Sequence, residues 1–130
     1  MREGRWDDVL GECRKTINAL YVGIDEWGNG LQLTQAEKDA IQSASNSSDK
    51  IKAKRNLFFI KLVQHDEKGL RLNNLRASLY NYLSLDPHEP DHKGVHFTRE
   101  DAAFSLRMTT GFCANMLKRL HYHLNKGIQV

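Results

Sequence analysis

The sequence predicts an all-α protein, an antiparallel bundle of four major helices and one short helix, with a long final helix. Three observations favour this class. Apolar residues recur in steps of three and four along most of the 130 residues, which is the period of a helix face. No segment shows the period of two that marks a half-buried strand. Both prolines, Pro87 and Pro90, fall in one polar stretch between helical patterns, so they interrupt no helix.

The long final helix is predicted over the range 97–124. Thr98 is placed as its N-cap, and Asp101, three residues further on, is the acidic member of a capping box. Gly127 is placed just beyond the helical pattern, where glycine commonly ends a helix. A helix of this length is long enough for the shorter helices to pack along it.

Two apolar rows run along this final helix. The main stripe predicts that Leu106 and Leu117 are buried in the bundle core. A second row, formed by Phe104, Met108 and Phe112, turns away from part of the stripe and predicts an exposed interface, because Phe and Met are enriched at interfaces. A two-fold homodimer is the commonest way for one patch to cover its own copy. The alternative is that the fourth helix buries the row within one chain. The stripe consists of Ala102, Leu106, Thr109, Cys113, Leu117, Leu120 and Leu124.

The first two helices are predicted from apolar spacing and from their ends. The first helix spans about 5–27 and stops at the Gly28-Asn29-Gly30 turn. The second helix is short. It begins after Thr34, which forms an S/T-x-x-E capping box with Glu37, and it continues to about residue 44.

The third and fourth helices follow a polar break. The third is predicted over about 49–65, with Ser47 or Ser48 as its N-cap. We expect its core to include Ile51 together with a run of apolar residues from 57 to 63. The Lys68-Gly69 pair marks a turn, after which the fourth helix covers about 70–85.

Composition bounds the class of protein. The chain is 40% hydrophobic and 27% charged, as in an ordinary globular domain, so we expect one domain over 1–130. The formal net charge of +3 allows contact with nucleic acid but does not require it. No apolar run approaches the about 20 residues of a membrane span, and the start of the chain lacks a signal-peptide core. We therefore expect no membrane contact and a cytoplasmic domain, either whole or cut from a longer protein.

The two cysteines are interpreted as core residues. Cys13 and Cys113 each fall on the apolar stripe of a predicted helix. Neither has an adjacent base that would activate a nucleophilic thiolate. A disulfide is unusual in the cytoplasm, so we expect both thiols to be free and buried.

One string of residues imitates a zinc site. The residues from His88 to His92 spell H-E-x-x-H, and His96 follows. In zinc peptidases a helix places both histidines on one face, whereas here Pro90 lies inside the motif and opposes a helix. The alternative is a metal held within the loop by His88, His92 and His96. The favoured interpretation is a polar surface loop, with no metal and no cofactor.

A basic cluster lies on the predicted third helix. Its candidate phosphate contacts are Lys50, Lys54, Arg55 and Lys61; Lys52 belongs to the same basic run, and Phe58 and Phe59 lie nearby. Lys50, Lys54 and Lys61 fall roughly on one side of a helix, and such a side can contact phosphates. The cluster therefore predicts weak, salt-sensitive RNA or DNA binding. The alternative is a solvated helix face, which is the usual role of a charge run.

Two segments resemble the HEPN superfamily of small helical-bundle domains. They are REGRWDDVLGECRKTINAL at 2–20 and FTREDAAFSLRMTTGFCANMLKRL at 97–120, which resemble the first and last helices of such domains. The resemblance implies a bundle that commonly dimerises and that belongs to defence, toxin or RNA-processing systems. Active members of the superfamily are metal-independent endoribonucleases with an Arg-x4-6-His motif just before the final helix.

The chain departs from that motif. His88 stands in the corresponding place, but the residue seven positions before it is Asn81, and Arg76 is farther away. The resemblance therefore implies a non-catalytic interaction or oligomerisation module, in a nucleic-acid-associated or defence context, with a protein partner or a fused domain. Two alternatives are an endoribonuclease that uses His88 with Asn81 as a nonstandard partner, and a small peptide- or ligand-binding bundle.

Overall fold

The computed structural model describes residues 4–85 and 96–128, and these residues form five α-helices and no strand. The predicted all-α class is confirmed, as are the four long helices, the short second helix and the long last one. The helices are α1 (Gly4–Asn29), α2 (Gln35–Gln42), α3 (Ser47–Val63), α4 (Asp66–Leu83) and α5 (Arg99–Ile128).

The chain divides into two compact units. Unit 1 comprises Met1–Tyr21 and Leu75–Lys118, and unit 2 comprises Val22–Asn74 and Arg119–Val130. Helices α1, α4 and α5 supply residues to both units, whereas α2 and α3 belong to unit 2 alone. The expectation of a single domain stays a prediction.

Two predicted capping boxes are confirmed. At α2, the Glu37 backbone N–H donates to Thr34 Oγ1 at 3.2 Å, and the Thr34 backbone N–H donates to Glu37 Oε1 at 2.9 Å. At α5, the Asp101 N–H donates to Thr98 Oγ1 at 3.2 Å, and the Thr98 N–H donates to Asp101 Oδ2 at 2.9 Å. Each box satisfies backbone donors that the first helical turn leaves unpaired.

Two predicted helix ends are wrong. The N-cap of α3 is Asn46, whose Oδ1 accepts from the Asp49 N–H at 2.8 Å. Ser47 and Ser48 are therefore inside the helix, since asparagine caps as well as serine and precedes both. Helix α5 continues to Ile128, so the glycine before it does not end the helix.

The turn predicted at Lys68-Gly69 is also wrong. The chain reverses between α3 and α4 at Gln64, which has a left-handed backbone with φ of 58°. Gly69 instead lies inside α4, where it is buried. A Cβ atom on Gly69 would lie 2.5 Å from the Cα and 2.6 Å from the N of Ile60. This glycine therefore allows α4 to pass close to the backbone of α3.

The face that α5 buries in unit 1 matches the predicted stripe at Ala102, Thr109 and Cys113 but not at its two leucines. Leu106 is 54% exposed and Leu117 is 53% exposed, so the prediction that they are core residues is wrong. Their neighbours Ser105 and Met116 are each 0% exposed. The buried face thus contains the residue before each leucine, which is a rotation of about 100° at these positions. Its members are Ala102, Ser105, Thr109, Phe112, Cys113 and Met116.

The remaining core residues follow the apolar spacing of the other helices. In unit 1 they include Leu10, Cys13 and Ile17 on α1. In unit 2 the large buried side chains of α3 are Phe58, Phe59, Leu62 and Val63. Ile51, which was expected in that core, is 52% exposed, because it lies near the start of α3, before the buried run begins.

Replacing Gly69 by alanine should destabilise the protein. The new methyl group would overlap backbone atoms of Ile60, which cannot rotate away, and we expect a loss of about 3 kcal/mol or more. Gly23→Ala is the matched control, because nothing lies within 4 Å of a Cβ at that position in α1. The Gly23→Ala variant should have a free energy of unfolding up to about 1 kcal/mol higher, because alanine has a greater helix propensity than glycine. Urea denaturation measures both, and equal effects of the two changes would contradict the close approach.

Two adjacent residues of α5 test which face is buried. Met116→Ala removes a fully buried side chain and should lower the free energy of unfolding by about 2–5 kcal/mol. Leu117→Ala changes an exposed position and should cost less than about 0.5 kcal/mol in dilute protein. Thermal or urea unfolding distinguishes them. A larger loss from Leu117→Ala than from Met116→Ala would restore the predicted face.

Candidate interaction surfaces

Unit 1 carries a row of exposed residues on α5 that we name the α5 seam: Ala103, Leu106, Thr110 and Leu117, all of which are exposed. Their spacing of three, four and seven residues is the heptad spacing of a helix that packs against another helix. Cys113 occupies the intermediate heptad position and is buried. Leu106 and Leu117 are separated by about 16 Å along the helix axis, at about 1.5 Å per residue.

The interface row predicted from Phe104, Met108 and Phe112 is not an exposed row. Phe112 is only 9% exposed and Met108 is half-buried, so the prediction is wrong at Phe112. Phe104 is 52% exposed, and its ring meets Tyr82 edge-on at 5.9 Å between centroids. Phe104 is thus exposed to about the same fraction as Leu106 and Leu117, which are 54% and 53% exposed, but its row is interrupted by the buried Phe112.

Of the two catalytic candidates, Asn81 and His88, only Asn81 lies among the described residues. Asn81 is exposed on α4. His88 lies outside the described residues, as do the remaining residues of the H-E-x-x-H string, while His96 is described and exposed. Within 4–85 and 96–128, no group of three or more His, Cys, Asp or Glu side chains could hold a metal ion.

The thiols are placed as predicted. Cys13 and Cys113 are both free and buried in unit 1. Burial, and after it the neighbouring thiol of Cys13, raises the pKa of Cys113. A raised pKa keeps the thiol protonated, which opposes a role as nucleophile.

Arg76 is a feature that the apolar pattern did not single out. Its guanidinium lies 3.4 Å from the centroid of the Tyr21 ring, in a close cation–π contact. Burial lowers the pKa of Arg76 to about 10, which still leaves the group charged at neutral pH. Its Nε is buried without a hydrogen-bond partner among the described residues. The stacking of Arg76 on the Tyr21 ring gives this arginine a structural role in unit 1.

Two members of the basic cluster are paired with carboxylates in unit 2. Arg55 donates to Asp25 through Nη2 at 3.0 Å and through Nε at 3.4 Å. Lys61 Nζ lies 2.9 Å from Glu37 Oε2. Lys54 is exposed, and its Nζ lies 5.9 Å from the centroid of the Phe58 ring.

The basic cluster also borders a cleft of about 210 Å³. Lys54 and Arg55 contribute to this cleft, but so does the Asp25 carboxylate, which offsets one of the positive charges. Lys50, the remaining member, is half-buried. Nucleic-acid binding by these four residues stays a prediction, and the paired carboxylates lower the net positive charge available for it.

A groove between α2 and α3 was not foreseen from the sequence. Its volume is about 420 Å³, and the ion pair between Glu37 and Lys61 links the two helices beside it. Three alanines on facing helices are the sequence signal that could have indicated it, because small side chains leave space between packed helices. We name it the α2–α3 groove; its lining is Ala36, Glu37, Ala40, Ile41, Ala53, Asn56, Leu57 and Ile60.

Comparison with known proteins identifies no relative. No family model matches the chain, and no curated protein or solved structure matches it. The resemblance to the HEPN superfamily therefore stays a prediction. None of the helices in the described part of the chain is both long and apolar enough to cross a membrane.

The carboxyl group of Glu37 should titrate at an unusually low pH. The backbone N–H of Thr34 and, second, the side chain of Lys61 lower the pKa of Glu37 from 4.5. Because this pKa is depressed in the folded state, its stabilising contribution is complete above pH 4.5 and is lost as the pH falls through the folded pKa. Carboxyl-carbon NMR should give a midpoint below 4.5.

Lys61→Met separates the two causes of this shift. It removes the ammonium group but leaves the Thr34 N–H, so the midpoint should rise and still remain below 4.5. A wild-type midpoint at or above 4.5 would show that the capping box and the ion pair do not persist in solution.

Proposed function

We propose that this chain is a non-catalytic interaction module that associates with a second copy of itself through the α5 seam. The observation that carries the proposal is the exposure of Leu106 and Leu117, which are 54% and 53% exposed. Large apolar side chains at regular positions on one exposed helix face are typical of a partner interface. Within one chain, the face of α5 that contains Ser105 and Met116 is buried instead.

A second copy suits this surface because the α5 seam is complementary to itself when two helices run antiparallel. A two-fold axis between Gly111 and Phe112, midway between the two leucines, places Leu106 of one copy opposite Leu117 of the other, and the reverse pair follows by symmetry. The small side chains of Ala103 and Thr110 would let the two helices approach closely. Each leucine would then pack against a leucine rather than against solvent.

Charge favours the same orientation. The first turn of α5 is acidic, with Glu100 and Asp101, whereas Arg107 and Lys118 are exposed further along the helix. Antiparallel pairing brings the acidic first turn of one copy towards Lys118 of the other. Opposed helix dipoles add to the preference for the antiparallel arrangement.

The basic cluster supports nucleic-acid binding less well than the α5 seam supports association. Arg55 and Lys61 are paired with carboxylates in unit 2. Phosphate binding would have to break or share these ion pairs, and this cost weakens it. Self-association through the seam does not require the nucleic-acid or defence context that the resemblance to the HEPN superfamily implies.

Sedimentation velocity at micromolar concentration tests the association. The wild-type chain should sediment as a species of twice the monomer mass of 14.9 kDa. The double variant Leu106→Glu with Leu117→Glu should sediment as a monomer with unchanged helical content, because both positions are exposed in the single chain. Leu75→Glu is the matched control, since Leu75 is a 45% exposed leucine of unit 1 on α4, and it should remain dimeric. A wild-type monomer at all concentrations, or a dimer in the double variant, would refute the proposal.

Engineered cysteines determine the orientation. A mixture of Leu106→Cys and Leu117→Cys chains should form a mixed disulfide under mild oxidation, faster than either variant alone. The native thiols are buried and should not compete. Faster linkage within Leu106→Cys alone would show a parallel pair, which keeps the interface but contradicts the antiparallel orientation.

A further inference from the structure

The α2–α3 groove has the dimensions and lining of a small-molecule site. Its volume of about 420 Å³ lies within the range of about 300–1,000 Å³ that ligand pockets usually have. Apolar side chains form most of the wall, from Ala36, Ala40 and Ile41 on α2 and from Leu57 and Ile60 on α3. None of the α2 residues is buried, so this helix does not fill the space against α3 with its own side chains.

One polar group in the groove is held in a fixed orientation. The side-chain amide of buried Asn73 donates to Asn56 Oδ1 at 2.6 Å. Because this bond occupies the carbonyl oxygen of Asn56, the NH₂ group of Asn56 is the part left to act as a donor in the groove. An apolar pocket with one or a few placed polar groups is the usual design of a small-molecule site, in which the polar group fixes the orientation of the ligand.

The charges beside the groove compensate each other. Glu37 is the charged residue in its lining, and Lys61 neutralises it through the 2.9 Å ion pair. A charged ligand would have to leave water without gaining an unpaired opposite charge there, which is costly. The balance of charge therefore favours an uncharged ligand.

The size of α2 argues against a protein partner in the same groove. The helix has eight residues and is about 12 Å long. A docked partner helix could follow it for only about two turns. The area buried over so short a contact is far below the about 800 Å² per side that a stable protein interface buries.

We propose that the α2–α3 groove binds a small, uncharged, mainly apolar molecule with one hydrogen-bond acceptor, which receives a hydrogen bond from the Asn56 amide. The ligand fills the space that Ala36, Ala40 and Ala53 leave between the helices. This site belongs to unit 2 and shares no residue with the α5 seam.

The probe for this proposal is 6-propionyl-2-dimethylaminonaphthalene, an uncharged fluorophore with one carbonyl acceptor. Fluorescence titration of the full chain should show saturable binding at one site. Ala40→Leu places a larger side chain in the groove and should weaken binding about tenfold or more. Gln42→Leu is the matched control, because Gln42 is exposed on the same helix and does not line the groove. It should leave the affinity within about twofold, as expected of a surface change.

The role of Asn56 is tested with a second probe, N-phenyl-1-naphthylamine, which has similar size but no carbonyl oxygen. The wild-type chain should prefer the carbonyl probe by about fivefold, as one neutral hydrogen bond allows. Asn56→Asp keeps an oxygen for Asn73 but removes the donor, so this preference should disappear. Saturable binding of the second probe would show that the variant still folds around the groove.

Four results would overturn the proposal. The first is the absence of saturable binding by either probe. The second is equal affinity of the wild type and Ala40→Leu. The third is loss of binding in the Leu106→Glu, Leu117→Glu double variant, which would place the probe on the α5 seam. If Ala40→Leu instead abolished dimer formation, the occupant of the groove would be a second copy of the chain, and the small-molecule assignment would be wrong.

Discussion

The face that α5 buries is the constraint on which the proposed function depends. Ser105 and Met116 are fully buried, whereas Leu106 and Leu117 are more than half exposed. The buried face therefore includes one small polar side chain, Ser105, which interacts with the side chain of Tyr82. Phe112 and Met116 contribute buried apolar area to the same face. The exposed leucines would lower the free energy further only when another surface covers them.

Small residues have two opposite consequences in unit 2. At Gly69 the missing side chain lets α4 approach the backbone of Ile60 so closely that no methyl group would fit. Between α2 and α3, the small side chains of Ala36, Ala40 and Ala53 leave a groove of about 420 Å³. At Gly69 the backbones of α4 and α3 approach closely, whereas beside the groove the ion pair of Lys61 and Glu37 links α3 to α2.

Ion pairs also change how the basic residues of α3 are interpreted. Arg55 pairs with Asp25 on α1, and Lys61 pairs with Glu37 on α2. These cations connect helices of unit 2, so a count of lysine and arginine overstates the positive charge available to a polyanion. The exposed Lys54, beside the Phe58 ring, keeps its charge but lies next to a cleft that also contains a carboxylate.

Local chemistry determined the helices. Apolar spacing, the Thr34 and Thr98 capping boxes and the buried thiols were all readable from the sequence, because each depends on residues within one or two helical turns. Tertiary packing decided the rest. Spacing alone could not choose between Ser105 and Leu106, since the two are adjacent on the helix and hydrophobicity favours the leucine, which belongs to the apolar stripe. It also could not distinguish a turn glycine from Gly69, whose role depends on a distant backbone. The α2–α3 groove depends on how two helices pack, and the α5 seam depends on which face of α5 the other helices leave uncovered. The spacing of residues along the chain does not contain this information.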